Sequence, residues 1–139
     1  MGHEIDLPLN MWGASRLPQT NVIPLVDLVI THGGNNTITE TFYFGKRVLV
    51  LPLCFDQLDN ARRIEETGLG LQFKPYQVTE DELLSGIQKL LDDELLEKRM
   101  ISISKRIQAS NSQARAADLI ENVAKNNLLK NEWFGFSDF

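Results

Sequence analysis

Apolar positions along this chain fall into two regimes: short unbroken runs in the first half and helical stripes in the second. Leu28-Val29-Ile30 and Val48-Leu49-Val50-Leu51 are rich in β-branched residues and bounded by polar, glycine or proline positions, which predicts buried strands. Between them, Thr31-His32-Gly33-Gly34 breaks the first strand and Asn35-Asn36-Thr37 supplies capping residues. A helix is expected to run from there to about Phe44 and to stop at Gly45. Strand, glycine turn, helix, strand is a βαβ unit, and its crossover implies parallel pairing. A helix over residues 58–67, with Ala61, Ile64 and Glu65 on one face, then leads to a third strand. The three strands are expected at residues 27–31, 48–51 and 69–73.

The second regime begins at Thr79, which stands at capping-box spacing from Glu82. Leu83, Leu84, Ile87, Leu90 and Leu91 follow at helical intervals, and Leu96, Met100, Ile103 and Ile107 stripe a further helix capped by Asp92 or Asp93. After a break at 110–113, a last helix over 114–127 is expected to turn Ala117, Ile120 and Ala124 inward. Near the N-terminus, residues 7–12 are an apolar run expected as a strand, and 21–25 a half-turn or short helix limited by Pro24. The pattern is that of an α/β fold, a Rossmann-like parallel sheet with helices on both faces. Residues 1–6 are expected to be a cloning remnant or disordered, 7–130 a binding domain, and 131–139 an aromatic tail carrying Trp133, Phe134, Phe136 and Phe139.

Composition narrows the function classes. The 139 residues suit one domain with a real core, and 42% are hydrophobic. A net charge of −5 without a basic stripe argues against nucleic acid or an anionic membrane as partner. Cys54 is the only cysteine, so no disulfide framework forms within the chain and a reducing compartment fits. Cys54 itself is expected to be buried or half-buried. No apolar run reaches the length of a membrane span. The stretch therefore reads as cytoplasmic, or as part of a membrane-associated parent whose signal and anchor segments lie elsewhere.

The glycine turn carries the chemistry. A turn of this kind, feeding a helix at the carboxyl end of a strand, is where open α/β sheets bind anions. His32 ends the strand, and Gly33 and Gly34 allow close approach to the backbone. Glu40 follows on the helix within reach of sugar hydroxyls, and Asp56-Gln57 places a carboxylate and an amide at the next loop. Amides for phosphate and carboxylates for hydroxyls make an inventory for a sugar nucleotide.

The same residues resemble the donor-binding signature of the family 1 UDP-dependent glycosyltransferases, which share the GT-B fold. Leu17-Pro18-Gln19 is similar to the family's xPQ element, and Thr31-His32-Gly33-Gly34-x-Asn36-Thr37-x-x-Glu40 to its THxGxNSxxE core. Gly45-x-x-Val48-x-x-x-Pro52 and Asp56-Gln57-x-x-Asn60 resemble its closing segment. The resemblance implies that Gln19 lies near the uracil, that His32, Asn36 and Thr37 meet the pyrophosphate, that Glu40 meets the ribose, and that Asp56-Gln57 meets the sugar. Arg16 stands where the family usually has the tryptophan that stacks on uracil.

On this resemblance the chain is the C-terminal, donor-binding half of a UDP-glycosyltransferase, incomplete at its N-terminus and inactive alone. The whole enzyme would transfer a hexosyl group from a UDP-sugar to a small lipophilic acceptor. The alternative is a UDP-sugar-binding subunit of a split glycosyltransferase that works with a separate chain. UDP-sugar is then a substrate, and neither cofactor nor metal is expected, since no DxD pair or Cys/His cluster occurs. The catalytic base is expected in a missing N-terminal acceptor-binding domain. Absent strands would leave a raw sheet edge, which is expected either to draw residues 7–12 over to pair with it or to form a homodimer with a second copy.

Overall fold

Strand β2 (Arg47–Val50) is the middle of the sheet, and all four of its residues are buried in the computed structural model, which describes residues 7–125. β1 (Leu28–Thr31) and β3 (Gly70–Gln72) flank it, both parallel to it, in the order β1-β2-β3. Side chains alternate across a strand, so β2 feeds two cores. Val48 and Val50 pack with Ala61 and Ile64 of α3 (Asp56–Glu66), and with Ile38 and Phe42 of α2 (Asn35–Tyr43). Leu49 faces the other way, onto Leu90 of α4 (Glu80–Asp92) and Leu96 and Met100 of α5 (Glu94–Gln108). Helices thus cover both faces, and the unbroken apolar run of β2 follows from burial on both sides. Leu49→Ala would cost about 2–5 kcal/mol at such a site.

The boundaries have local causes. Gly45 has a φ of +67°, which closes α2 as expected. Thr79 and Glu82 form the full capping box at the head of α4. Of the two aspartates considered for α5, Asp93 is the one that caps, accepting a hydrogen bond from the Leu96 amide at 2.8 Å. Upstream, α1 (Gln19–Val22) runs into a 3-10 turn at Ile23–Leu25, with Pro24 inside it.

Several expectations are corrected. Residues 7–12 are not a strand: the Met11 amide donates to the Pro8 carbonyl at 2.8 Å, folding the run into a turn. Pro8 also lacks the amide that a ladder needs. Helix α3 starts at Asp56, two residues before the expected start at 58, because the preceding loop closes as a tight turn. Glu65 does not share the buried face of Ala61 and Ile64; it is exposed and accepts a hydrogen bond from Gln72. Cys54 is exposed, since it lies on that turn rather than beneath it. Along α4, Leu84 and Leu91 are exposed while Leu90 is buried.

From Gln108 the chain forms a second unit, described by itself. Its helix α6 (Ser112–Lys125) has no buried residue, and Ile120, expected inward, is 71% exposed. The expected aromatic tail and the first six residues lie outside the described residues. Among the described residues no helix is long and apolar enough to cross a membrane. Within them also, nothing pairs with the outer edge of β1, where Ile30 is 47% exposed.

Candidate functional site

The site grows from the end of β1. Thr31 accepts a hydrogen bond from the Gly33 amide onto its hydroxyl at 3.2 Å, which starts the turn. Gly33 is buried with a φ of +91°, and a Cβ there would sit 2.7 Å from Val50 Cγ1. Only glycine lets the chain cross the end of β2 so closely. Gly34, with ordinary extended backbone, is the residue from which α2 starts, and no side chain caps that end. The expected capping by Asn35-Asn36-Thr37 is therefore corrected: Asn35 Oδ1 is engaged by Asn60 Nδ2 at 2.9 Å instead. An α-helix leaves its first amides without intrahelical partners, and its dipole is positive at that end. These groups open onto a cleft of about 530 Å³ lined by Gln19, His32, Gly34, Asn35, Asn36, Thr37 and Glu40.

Six of the ten residues expected from sequence line that cleft, and Gly33 lies beside it against Val50. His32 is exposed, its ring folded over the turn so that Nε2 is 2.8 Å from where a Cβ on Gly34 would be. Gln19, at the first position of α1, reaches across to α2. Its Nε2 donates to Glu40 Oε2 at 2.6 Å and to Thr37 Oγ1 at 3.1 Å. One wall of the cleft is thus an amide–carboxylate pair suited to hydroxyl groups, and the other is an anion-ready helix end. Arg16 is exposed on the bend before α1 and does not line the cleft.

The glycosyltransferase family 28 C-terminal domain matches residues 18–123, a span that holds the whole cleft. The chain belongs to that family. NDP-glycosyltransferase YjiC of Bacillus subtilis is 32% identical over 120 residues, covering 86% of this chain and 31% of the relative. Among solved structures, the glycotransferase of kitacinnamycin aligns with a TM-score of 0.78 at 30% identity, over 87% of this chain and 31% of its own. Spinosyn rhamnosyltransferase SpnG, solved with thymidine diphosphate, aligns with a TM-score of 0.75 at 30% identity, over 85% and 32% of the two chains. The chain thus spans about a third of the length of the proteins it matches. It is a C-terminal domain of a GT-B glycosyltransferase, as its sequence implied.

In this glycosyltransferase domain Asp56 and Gln57 stand apart from the cleft, at the head of α3. They do not act as a matched pair. Asp56 is exposed, whereas Gln57 Oε1 accepts from the Leu53 amide at 2.9 Å and the Cys54 amide at 3.2 Å, organising its own loop. The two loops abut all the same, for the Gln57 carbonyl oxygen is 3.5 Å from the position of a Cβ on Gly33. Asn60, one turn further along α3, ties them together by donating to the Gly33 carbonyl at 2.9 Å and to Asn35. It was not among the site residues expected from sequence. Its place as the last member of the Asp56-Gln57-x-x-Asn60 motif is the signal that could have found it.

Proposed function

We propose that this domain binds the nucleoside diphosphate of a UDP-sugar, with the diphosphate on the first-turn amides of α2 and His32, and the ribose against Glu40. The observation that carries it is the uncapped head of α2, opening beside Gly33 onto the same cleft as the Gln19–Glu40 pair. Backbone amides and the helix dipole meet phosphate charge without a metal, and in the complete enzyme they would stabilise the departing diphosphate. The domain is assigned to family 1, acting on a small lipophilic acceptor held by an N-terminal acceptor-binding domain. On this proposal the chain is inactive alone, because His32 is the one histidine among the described residues and serves the phosphates. Sustained sugar transfer by the purified chain would refute that part.

The deciding experiment is an NMR titration of the 139-residue chain. UDP should shift the amides of residues 33–37, with a Kd on the order of 1 mM, since one domain supplies only part of the contact surface. Thymidine diphosphate is the comparison ligand, because SpnG was solved with it. No response at residues 33–37 to either nucleotide would overturn the donor site; tighter binding of thymidine diphosphate would overturn the choice of uridine.

A further inference from the structure

Phe55 is the only non-glycine residue with positive φ among the described residues. Its φ of 52° and ψ of −135° match the first central position of a type II′ turn, which glycine normally fills. The turn is closed by the Gln57 amide donating to the Cys54 carbonyl at 3.2 Å. A phenylalanine in that state is strained, and such strain persists only where the surroundings impose it. Here they do, through the two loop amides that hold Gln57 Oε1, yet none of these bonds uses the Phe55 side chain. Nor does burial hold the ring in place, for it is 85% exposed. The largest side chain on the loop therefore stands outward at an unfavourable backbone position, immediately before Asp56, adding nothing to the core.

The neighbourhood suggests what it meets. The loop abuts the glycine turn at Gly33, so both border the carboxyl end of the sheet. A diphosphate seated on the head of α2 has two substituents. With the nucleoside directed to Gln19 and Glu40 on one side, the other substituent would leave on the side of Gly33, where the backbone of Gln57, the last residue of the Phe55 turn, abuts the glycine. That substituent is the sugar. A pyranose ring carries C–H bonds on its faces and hydroxyls at its rim, and an aromatic ring beside a carboxylate can meet both. We infer that Phe55 is a binding residue for the donor's sugar, stacking on an apolar face of the pyranose. This rests on the donor-site proposal above.

The test uses the whole chain, with UDP and UDP-glucose as probes, and two variants. Phe55→Gly removes the ring and relieves the strain; Phe55→Leu keeps an apolar side chain but loses the aromatic face. Phe55→Gly should melt no lower than the parent, bind UDP within about twofold of it, and bind UDP-glucose roughly threefold to tenfold more weakly. Phe55→Leu should lose UDP-glucose affinity to a similar degree. UDP-glucose binding at parental strength in either variant would overturn the stacking role, which is the result expected if the ring instead serves an acceptor. A Phe55→Gly variant that melts well below the parent would overturn it too, since the residue would then be there for the fold. Equal weakening of UDP and UDP-glucose would refute a sugar-specific contact. If neither probe shifts residues 33–37, the donor site itself fails and this inference with it.

Discussion

Glu40 and Asp56 are both carboxylates beside the glycine turn, and the structure gives them different neighbours. Glu40 lies in the cleft, half-buried and bonded to Gln19 at 2.6 Å, so a nucleotide ribose would find a carboxylate already oriented. Asp56 is exposed at the head of α3, out of that cleft. The ribose belongs to UDP and UDP-glucose alike, so Glu40→Ala should weaken both. Hydrogen bonds to a charged group contribute roughly 1.5–3 kcal/mol, which corresponds to about tenfold or more in Kd. The loss should be smaller for thymidine diphosphate, whose deoxyribose offers one hydroxyl fewer. Asp56→Ala should leave UDP nearly unchanged and narrow the preference for UDP-glucose over UDP. Equal losses for the two ligands in Asp56→Ala, measured by titration, would contradict the division of labour.

At the scale of elements, the capping box at the head of α4 makes a prediction about pH. The Thr79 backbone amide, and then its hydroxyl, hold the Glu82 carboxyl below its usual range. A group whose folded pKa is depressed adds stability above its unfolded pKa, and that stability is lost as pH falls through the folded value. The parent should therefore melt above Glu82→Gln at neutral pH, and the gap should close below the carboxylate range; a gap that persists or widens in acid would refute the cap. This box was plain in the sequence because its partners are three residues apart and depend on nothing else. Strand β2 was plain because burial on both faces leaves an unbroken apolar run. The head of α2 is not legible in the sequence, because Asn35 is claimed by Asn60, 25 residues away, which no local pattern records. The start of α3 was missed for a related reason: Gln57 folds back on Leu53 and Cys54, and Phe55 takes a conformation its side chain disfavours. Residues 7–12 looked like a strand from their apolar side chains alone, but Pro8 turns the chain instead. What the sequence concealed lies where backbone geometry is set by a distant or disfavoured contact, and two of those places border the proposed ligand.

For the molecule as a whole, the open question is the outer edge of β1. Within the described residues that edge has no partner, and Ile30 beside it is 47% exposed. Leu17, Val22, Ile23 and Val26 extend the edge into a largely apolar groove that also reaches Gln19, His32 and Thr37 of the cleft. An unpaired strand edge is a template for another strand, and natural folds commonly blunt such edges with charge or proline; Leu28–Thr31 carries neither. Residues 7–12 were one segment that could have covered it, and they form a turn elsewhere in the chain. We take a second copy of the chain as the candidate partner to test, paired edge to edge about a two-fold axis. The strand is only four residues long, so few backbone hydrogen bonds are gained, each net about 0.5–1.5 kcal/mol. We expect a weak homodimer, with a Kd on the order of 100 μM, or about 5.5 kcal/mol. Ile30→Lys should place a charge in the groove and shift the chain to monomer, while the response of residues 33–37 to UDP persists. Sedimentation velocity across a concentration series provides the check. A parent chain that stays monomeric well above that concentration, or an Ile30→Lys variant that associates as strongly as the parent, would show that this edge does not pair.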